Sequence, residues 1–251
     1  MTENVHGSMK RLNWIRTNLR SSDEVLEFGC GTGAMITLPL AEAGYRVMGV
    51  DLDVESIDFG KQLLRERGLD ESKLAAIDVS ELKDEYFDVI IASEVLEHIP
   101  DRELERVLGL LNQKLKPGGR LLVTVPNGYG WFEFENLLWN RLRLGRALQA
   151  VRLPGIVARI KRLLGIRPQA VLPNTLSGSP HVQRFTPSSI QSTLERAGFG
   201  VVSFDGTVLL AGQFSHIIWD GIGWFSRLNV RLGSRWPKVA SGYLVSTVRV
   251  E

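Results

Sequence analysis

The sequence predicts an α/β fold built on a mainly parallel sheet, and three observations carry that expectation. Short β-rich runs alternate with longer segments of helical period between residues 24 and 126; Val89-Ile-Ile-Ala92 and Leu121-Leu-Val-Thr-Val125 are almost continuously apolar; and a glycine-rich turn, Gly29-Cys-Gly-Thr-Gly33, follows the first run directly. Alternation of this kind means βαβ units. Strands covered by helices on both faces have no polar face to alternate with, so they read as unbroken apolar runs.

The elements follow in order. Strands are expected at Glu24–Gly29, Tyr45–Leu52, Leu74–Asp78, Phe87–Ser93 and Gly119–Pro126, with helices over 33–43, 54–68 and 101–115 between them. Lys116-Pro-Gly-Gly119 is expected to stop the third helix, because proline cannot continue it and glycine frees the turn.

Bulk composition bounds the rest. At 251 residues and 44% hydrophobic content the chain can bury one substantial core, so a single domain over 1–251 is expected. Its core would be 20–127, 181–211 and 241–251, with insertions at 128–180 and 212–240. The lone Cys30 cannot form an internal disulfide, and no stretch has the pattern of a signal peptide or a membrane span, so a cytoplasmic protein is expected. The net charge of +2 hides a segregation: from Asn136 to Pro180 there is no Asp or Glu, while Arg141, Arg143, Arg146, Arg152, Arg159, Lys161, Arg162 and Arg167 are all cationic.

In a parallel sheet ligands sit beyond the carboxyl ends of the strands, so the last residue of each strand is the one to read. The first strand delivers Glu27 and the glycines, the second Asp51, the third Asp78 and the fourth Ser93. Three glycines where strand turns into helix let a ligand approach the main chain. Asp51 can accept from both hydroxyls of a ribose. Two adenosine-bearing ligands fit. Gly29, Gly31 and Ala34 satisfy the dinucleotide fingerprint, which seats a pyrophosphate on a helix N-terminus and would make the chain an NAD-type oxidoreductase. S-adenosylmethionine carries no phosphate, and Glu27 is awkward beside a pyrophosphate but useful near an ammonium, which favours the sulfonium ligand.

Four blocks, Val25-Leu-Glu-Phe-Gly-Cys-Gly-Thr-Gly33, Gly49-Val-Asp-Leu-Asp53, the run from Phe87 to Ile99 and the run from Leu115 to Asn127, stand in an order and spacing that resemble the class I S-adenosylmethionine-dependent methyltransferases. His181-Val-Gln-Arg-Phe-Thr-Pro187 and Glu195-Arg-Ala-Gly-Phe199 are similar to that family's entry to its sixth strand. The resemblance implies a Rossmann-like seven-stranded sheet, mainly parallel with an antiparallel last strand, with Phe199–Phe204 and Tyr243–Val250 as strands six and seven. It further implies that Glu27, Phe28, Gly29, Gly31 and Gly33 line the methionine end of the cofactor and that Asp51 binds the ribose. Leu52 would flank the adenine, Asp78 and Val79 would meet its edge, and Ser93 would face the sulfonium. The bland alternative is that glycines form turns and strand-end aspartates cap helices.

Methyl transfer to a hydroxyl needs somewhere for the proton to go, and histidine is the usual base near neutral pH. His98 and His181 are the candidates on the ligand side. Glu94, Glu97 and His98, with His181, also offer a site for a divalent metal, as in some methyltransferases acting on vicinal hydroxyls, if residues 94–98 start a helix. The same letters are expected more often to cap and orient that segment.

Both insertions leave from the ligand side in this topology and should shape the acceptor pocket. Helices are expected over 132–150 and 154–164, the second with Ile156, Val157, Ile160, Leu163 and Leu164 in one stripe; Phe214, Ile217, Ile218, Ile222, Phe225 and Leu228 repeat that period later. The first expectation is that such stripes pack on each other. The second, from basic residues beside aromatics, is an anionic membrane surface at the inner face, or a small or lipid-linked acceptor of anionic character. Nucleic acid ranks below both. The competing classes are the oxidoreductase and a catalytically silent cofactor-binding partner protein; the acceptor and the oligomeric state are not encoded in any motif.

Overall fold

The computed structural model describes residues 3–4, 6–150, 152–166 and 181–250. Arg167 and the remainder of the basic segment up to Pro180 lie outside the described residues. Seven strands form one sheet in the order β3-β2-β1-β4-β5-β7-β6: β1 (Glu24–Phe28), β2 (Arg46–Asp51), β3 (Leu74–Ala76), β4 (Phe87–Ser93), β5 (Leu115–Pro126), β6 (Phe199–Gly206) and β7 (Gly242–Arg249). β1 pairs in parallel with β2, Val25 opposite Val47, and with β4, Val25 opposite Val89. β7 runs against its neighbours. Along β5 and β7 the Thr247 hydroxyl donates to Leu121 O while Asn127 N donates to Ser241 O, and on the other side Val250 N donates to Gly198 O while Thr207 N donates to Gly242 O. Partner numbers rise on one strand as they fall on the other, so β7 is the antiparallel strand.

The helices are α1 (Ser8–Thr17), α2 (Thr37–Glu42), α3 (Val54–Glu66), α4 (Asp101–Lys114), α5 (Trp131–Asn136), α6 (Leu144–Ala150), α7 (Leu153–Leu163), α8 (Pro187–Arg196), α9 (Gln213–Trp219) and α10 (Gly223–Arg235). Asp53 caps α3 by accepting from Glu55 N, and Thr186 and Ser189 form a reciprocal capping box at α8 with Pro187 in its first turn. Val25, Ile36, Leu40, Val47, Val89, Ile91 and Leu122 form one buried cluster that also takes in Leu12 and Ile15 of α1.

Several elements depart from the sequence expectation for physical reasons. α2 begins at Thr37 rather than at residue 33, which places Pro39 in its first turn, where a missing N–H costs nothing. β5 starts at Leu115, so Lys116-Pro-Gly-Gly119 is not a stop before the strand. It is absorbed as a bulge: Phe87 lies opposite Leu115 but Val89 opposite Arg120. The helix expected over 132–150 is broken into α5, a π-helical turn Leu137–Arg141 and α6, and Arg143 sits at φ +55°. The later insertion is two helices, interrupted where Gly221 takes φ +82°.

The chain divides into two compact units. One comprises Leu12–Val125, Leu172–Phe204 and Leu244–Glu251 and contains the parallel strands with their carboxyl-end loops. The other comprises Met1–Arg11, Pro126–Val171 and Asp205–Tyr243 and contains α5–α7, α9 and α10. In this second unit the buried Glu135 carboxylate accepts from Phe214 N at 2.7 Å, Ser215 N at 3.1 Å and Trp131 Nε1 at 2.5 Å, and from the Ser215 hydroxyl. Lys10 binds the Thr207 carbonyl at 3.1 Å and pairs with Asp205 at 3.3 Å in the same unit. Among the described residues no helix is long and apolar enough to cross a membrane.

Candidate active site

The candidate site lies in the first unit, at the carboxyl ends of β1, β2 and β4. Behind β1 the chain takes left-handed geometry at each alternate residue: φ is +67° at Gly29, +52° at Gly31 and +66° at Gly33. Only glycine adopts this without cost. Two of the three are also required sterically. A Cβ on Gly29 would lie 2.3 Å from Val95 Cγ2, and one on Gly33 2.9 Å from Leu74 Cδ2. Part of the bare backbone is therefore filled by the protein's own side chains.

Gly31 N donates to Asp51 Oδ2 at 2.7 Å, and Asp53 N donates to Asp51 Oδ1 at 3.0 Å. Two main-chain donors orient the carboxylate, and each oxygen keeps a second lone pair for another hydroxyl. Beside it Leu52 is 71% exposed, a large apolar side chain presented next to a fixed acid. Phe28, at the end of β1, is half-buried.

Glu27 is buried, and its Oε2 accepts from Thr37 N at 2.8 Å and from the Thr37 hydroxyl. Ile36, the residue before α2, offers no side-chain cap, so Glu27 satisfies the start of that helix from another element. Burial pushes its carboxyl up to about 7, against the lowering effect of the Thr37 hydrogen bonds. The Cys30 thiol beside it is pushed up by burial and so stays protonated, inert rather than nucleophilic.

Asp78 caps a single 3-10 turn, Val79–Glu81: its Oδ1 accepts from Ser80 N at 2.8 Å, and Glu81 returns the bond to Asp78 N at 3.0 Å. Those bonds from Ser80 hold its carboxyl below the usual range. Val79 is buried, so its side chain faces the protein interior. Ser93 Oγ lies 2.8 Å from Thr124 Oγ1, which reaches Glu94 Oε1 at 3.0 Å, while Glu94 N donates to Thr124 O at 2.8 Å. Glu94 itself takes φ +54°, a conformation that costs a non-glycine residue about 1–3 kcal/mol.

The shared face considered for 94–98 required a helix there, and the left-handed Glu94 does not continue into one. Only a 3-10 turn forms, Leu96–His98, and Glu94 is directed to Thr124 instead of joining Glu97 and His98 on one face. Glu97 O accepts from both Val182 N at 2.9 Å and Gln183 N at 3.0 Å, and Gln183 Nε2 donates to Ile99 O at 3.0 Å. This lacing brings the His98 and His181 rings to 5.1 Å, edge to face. Ligand atoms of Glu97, His98 and His181 lie within 4.8 Å of one another. Two imidazoles and a carboxylate suit a divalent transition cation.

The site also tests which adenosine ligand fits. A pyrophosphate needs free N–H groups at a helix start directly behind the last glycine. Here the helix starts four residues later, Thr37 N is taken by the Glu27 carboxylate and Leu38 N by Gly33 O at 2.8 Å. The buried Glu27 carboxyl thus takes a donor that a pyrophosphate would need, whereas an aminoacyl ligand does not depend on it.

A family model for a methyltransferase domain matches residues 6–204. The chain belongs to the class I S-adenosylmethionine-dependent methyltransferases. This methyltransferase is 32% identical over 121 residues to a ubiquinone biosynthesis O-methyltransferase of Pseudomonas syringae pv. tomato, covering 47% of the chain and 50% of that protein. It is 24% identical over 245 residues to the sphingolipid C9-methyltransferase of Candida albicans, covering 93% of the chain and 41% of that protein. The chain thus spans about half the length, or less, of the curated relatives it matches. A solved S-adenosylmethionine-dependent methyltransferase from Methanosarcina mazei shares its fold, with a TM-score of 0.57 at 21% identity over 94% of this chain and 97% of that one. S-adenosylmethionine is the cofactor of the family.

Sequence reasoning missed three residues of this methyltransferase's candidate site. Thr37 and Thr124 hold Glu27 and Glu94, and Val95 fills the space over Gly29. Thr124 left a signal, a hydroxyl inside an otherwise apolar strand; Val95 left none.

Proposed function

We propose that this methyltransferase transfers a methyl group to a hydroxyl of a small or lipid-linked acceptor, with His98 and His181 receiving the hydroxyl proton. The observation that carries the proposal is the approach of the two imidazoles to 5.1 Å beyond the end of β4, in the same unit as the glycine turn and Asp51. Bound S-adenosylmethionine supplies a methyl already activated by a sulfonium leaving group. What remains for the chain is to hold the cofactor, bring the acceptor oxygen to about 3–3.5 Å from the methyl carbon, and take up one proton. Asp51, Leu52, Glu27, Phe28, the three glycines, Asp78, the main chain at Val79 and Ser93 are assigned to the first task. The acceptor hydroxyl gives up one proton as its oxygen is methylated, and an imidazole nitrogen of His98 or His181 would take it.

The activities of the relatives, an O-methyltransferase of ubiquinone biosynthesis and a sphingolipid methyltransferase, support an acceptor of small or lipid-linked kind. Such an acceptor would be met at the inner face of a membrane, where this protein would be peripheral. The insertions at 128–180 and 212–240 are assigned to acceptor recognition. A second arrangement, in which Glu97, His98 and His181 hold a divalent cation that lowers the pKa of the acceptor hydroxyl, is favoured by their mutual approach.

Two measurements test the proposal. Calorimetry should show S-adenosylmethionine binding, and failure at millimolar concentration would sink the whole assignment. Turnover should then appear with hydroxylated acceptors and fall in His181→Ala; tight cofactor binding without turnover on any hydroxylated lipid or small molecule would leave a silent binding protein instead.

A further inference from the structure

The helix α7 leaves most of its aliphatic stripe uncovered. Its packed side, against α6 and α9, carries Leu153, Val157 and Lys161, and the lysine ammonium donates to Asp220 O at 2.7 Å. Much of the aliphatic stripe beside that side stays in solvent: Ile156 and Ile160 are each 51% exposed, Leu163 80%, and Leu164 just past the helix end 70%. No residue of α7 is fully buried. A helix normally spends such a stripe on the core, so a four-residue aliphatic surface left in solvent marks a contact still to be made.

The charge around it identifies the contact. Neither α6, α7 nor α9 contains an acidic residue, while Arg159 and Arg162 lie off the stripe on one side and Arg143, Arg146 and Arg152 precede it. An anionic bilayer presents a negative headgroup layer directly over an apolar one. A short helix with aliphatic side chains along one line and guanidinium groups beside them matches both layers at once. A protein partner would have to supply the same pairing of acidic rim and apolar floor.

We infer that α7 is a membrane-surface helix, lying in the plane of an anionic lipid surface with Ile156, Ile160, Leu163 and Leu164 inserted below the headgroups and Arg159 and Arg162 among the phosphates. The inference deepens the lipid-linked acceptor proposed above by naming the element that meets the membrane, and it is tested without reference to catalysis.

The experiment is flotation of the full chain with vesicles of phosphatidylcholine alone and with about one third phosphatidylserine or phosphatidylglycerol, at low and high salt. The wild-type protein should float with anionic vesicles at low salt and stay behind with neutral ones or at high salt. Ile160→Gln combined with Leu163→Gln should weaken binding at least tenfold; these positions are exposed, so far-ultraviolet circular dichroism should be unchanged. Arg159→Gln with Arg162→Gln should flatten the dependence on anionic lipid. Equal flotation of wild type and the double variants would overturn the assignment to α7 while leaving membrane contact through another surface. No flotation of the wild type with any vesicle would overturn it outright, pointing to a second copy or another protein on the stripe; methylation of a soluble hydroxylated acceptor would still decide the catalytic proposal separately.

Discussion

Thr37 donates twice to one oxygen of Glu27, its amide at 2.8 Å and its hydroxyl alongside, so a β1 carboxylate serves as the cap of α2. The burial that comes with this raises the Glu27 carboxyl to about 7 from 4.5. Between those values the folded chain holds a proton that the unfolded chain has released. The resulting stability is therefore fully present below about pH 4.5 and is lost as pH rises through about 7. Glu27→Gln should flatten that part of the curve of Tm against pH, and an unchanged slope by calorimetry would reassign it to other groups. Thr37→Val, which keeps the amide and the volume but removes the hydroxyl, should cost about 1 kcal/mol.

Asp51 should dominate cofactor affinity. Asp51→Ala removes the acceptors for a ribose and leaves Gly31 N without its partner, so binding should weaken by about 1.5–3 kcal/mol, a loss of roughly tenfold to a hundredfold. Titration calorimetry with S-adenosylhomocysteine reads this directly; affinity within twofold of wild type would remove Asp51 from the site.

Gly29→Ala and Gly44→Ala separate backbone strain from crowding. Both residues have positive φ, +67° and +83°, but a Cβ at 44 meets nothing within 4 Å while one at 29 meets Val95 at 2.3 Å. Gly44→Ala should cost about 1–2 kcal/mol in denaturant unfolding, and Gly29→Ala clearly more. Adding Val95→Ala to Gly29→Ala should recover the difference between them and no more.

Chelation discriminates the two roles of the histidine cluster. With His98 and His181 as proton acceptors, turnover should survive exhaustive dialysis against a chelator, and His181→Ala should lower kcat by about 10²–10⁴ with little change in cofactor affinity. Loss of turnover on dialysis, restored by added divalent cation, would give the cluster to a metal instead.

The sheet was legible because buried parallel strands write themselves as apolar runs: Phe87–Ser93 begins and ends at the residues named from sequence alone. The glycine turn and the strand-end acids were legible because a backbone forced to positive φ, or a strand end facing a ligand, restricts the residue type. What was not legible depends on partners distant in sequence. Nothing in Glu27 announces Thr37, and nothing in Glu94-Val-Leu-Glu-His98 announces that Thr124 would draw Glu94 away and leave the histidine of a short turn beside His181. Periodicity identified the stripe of α7 but not its direction, since a 3.6-residue repeat says that a face is apolar and not what covers it. α1 escaped notice because its buried Leu12 and Ile15 are too few to set a period.

The double acceptance at Glu97 O, from Val182 N and Gln183 N, makes the distance between positions 98 and 181 a property of the main chain. These are backbone bonds, which no replacement of a side chain at 98 or 181 removes, so a residue substituted at either position would start from the same separation.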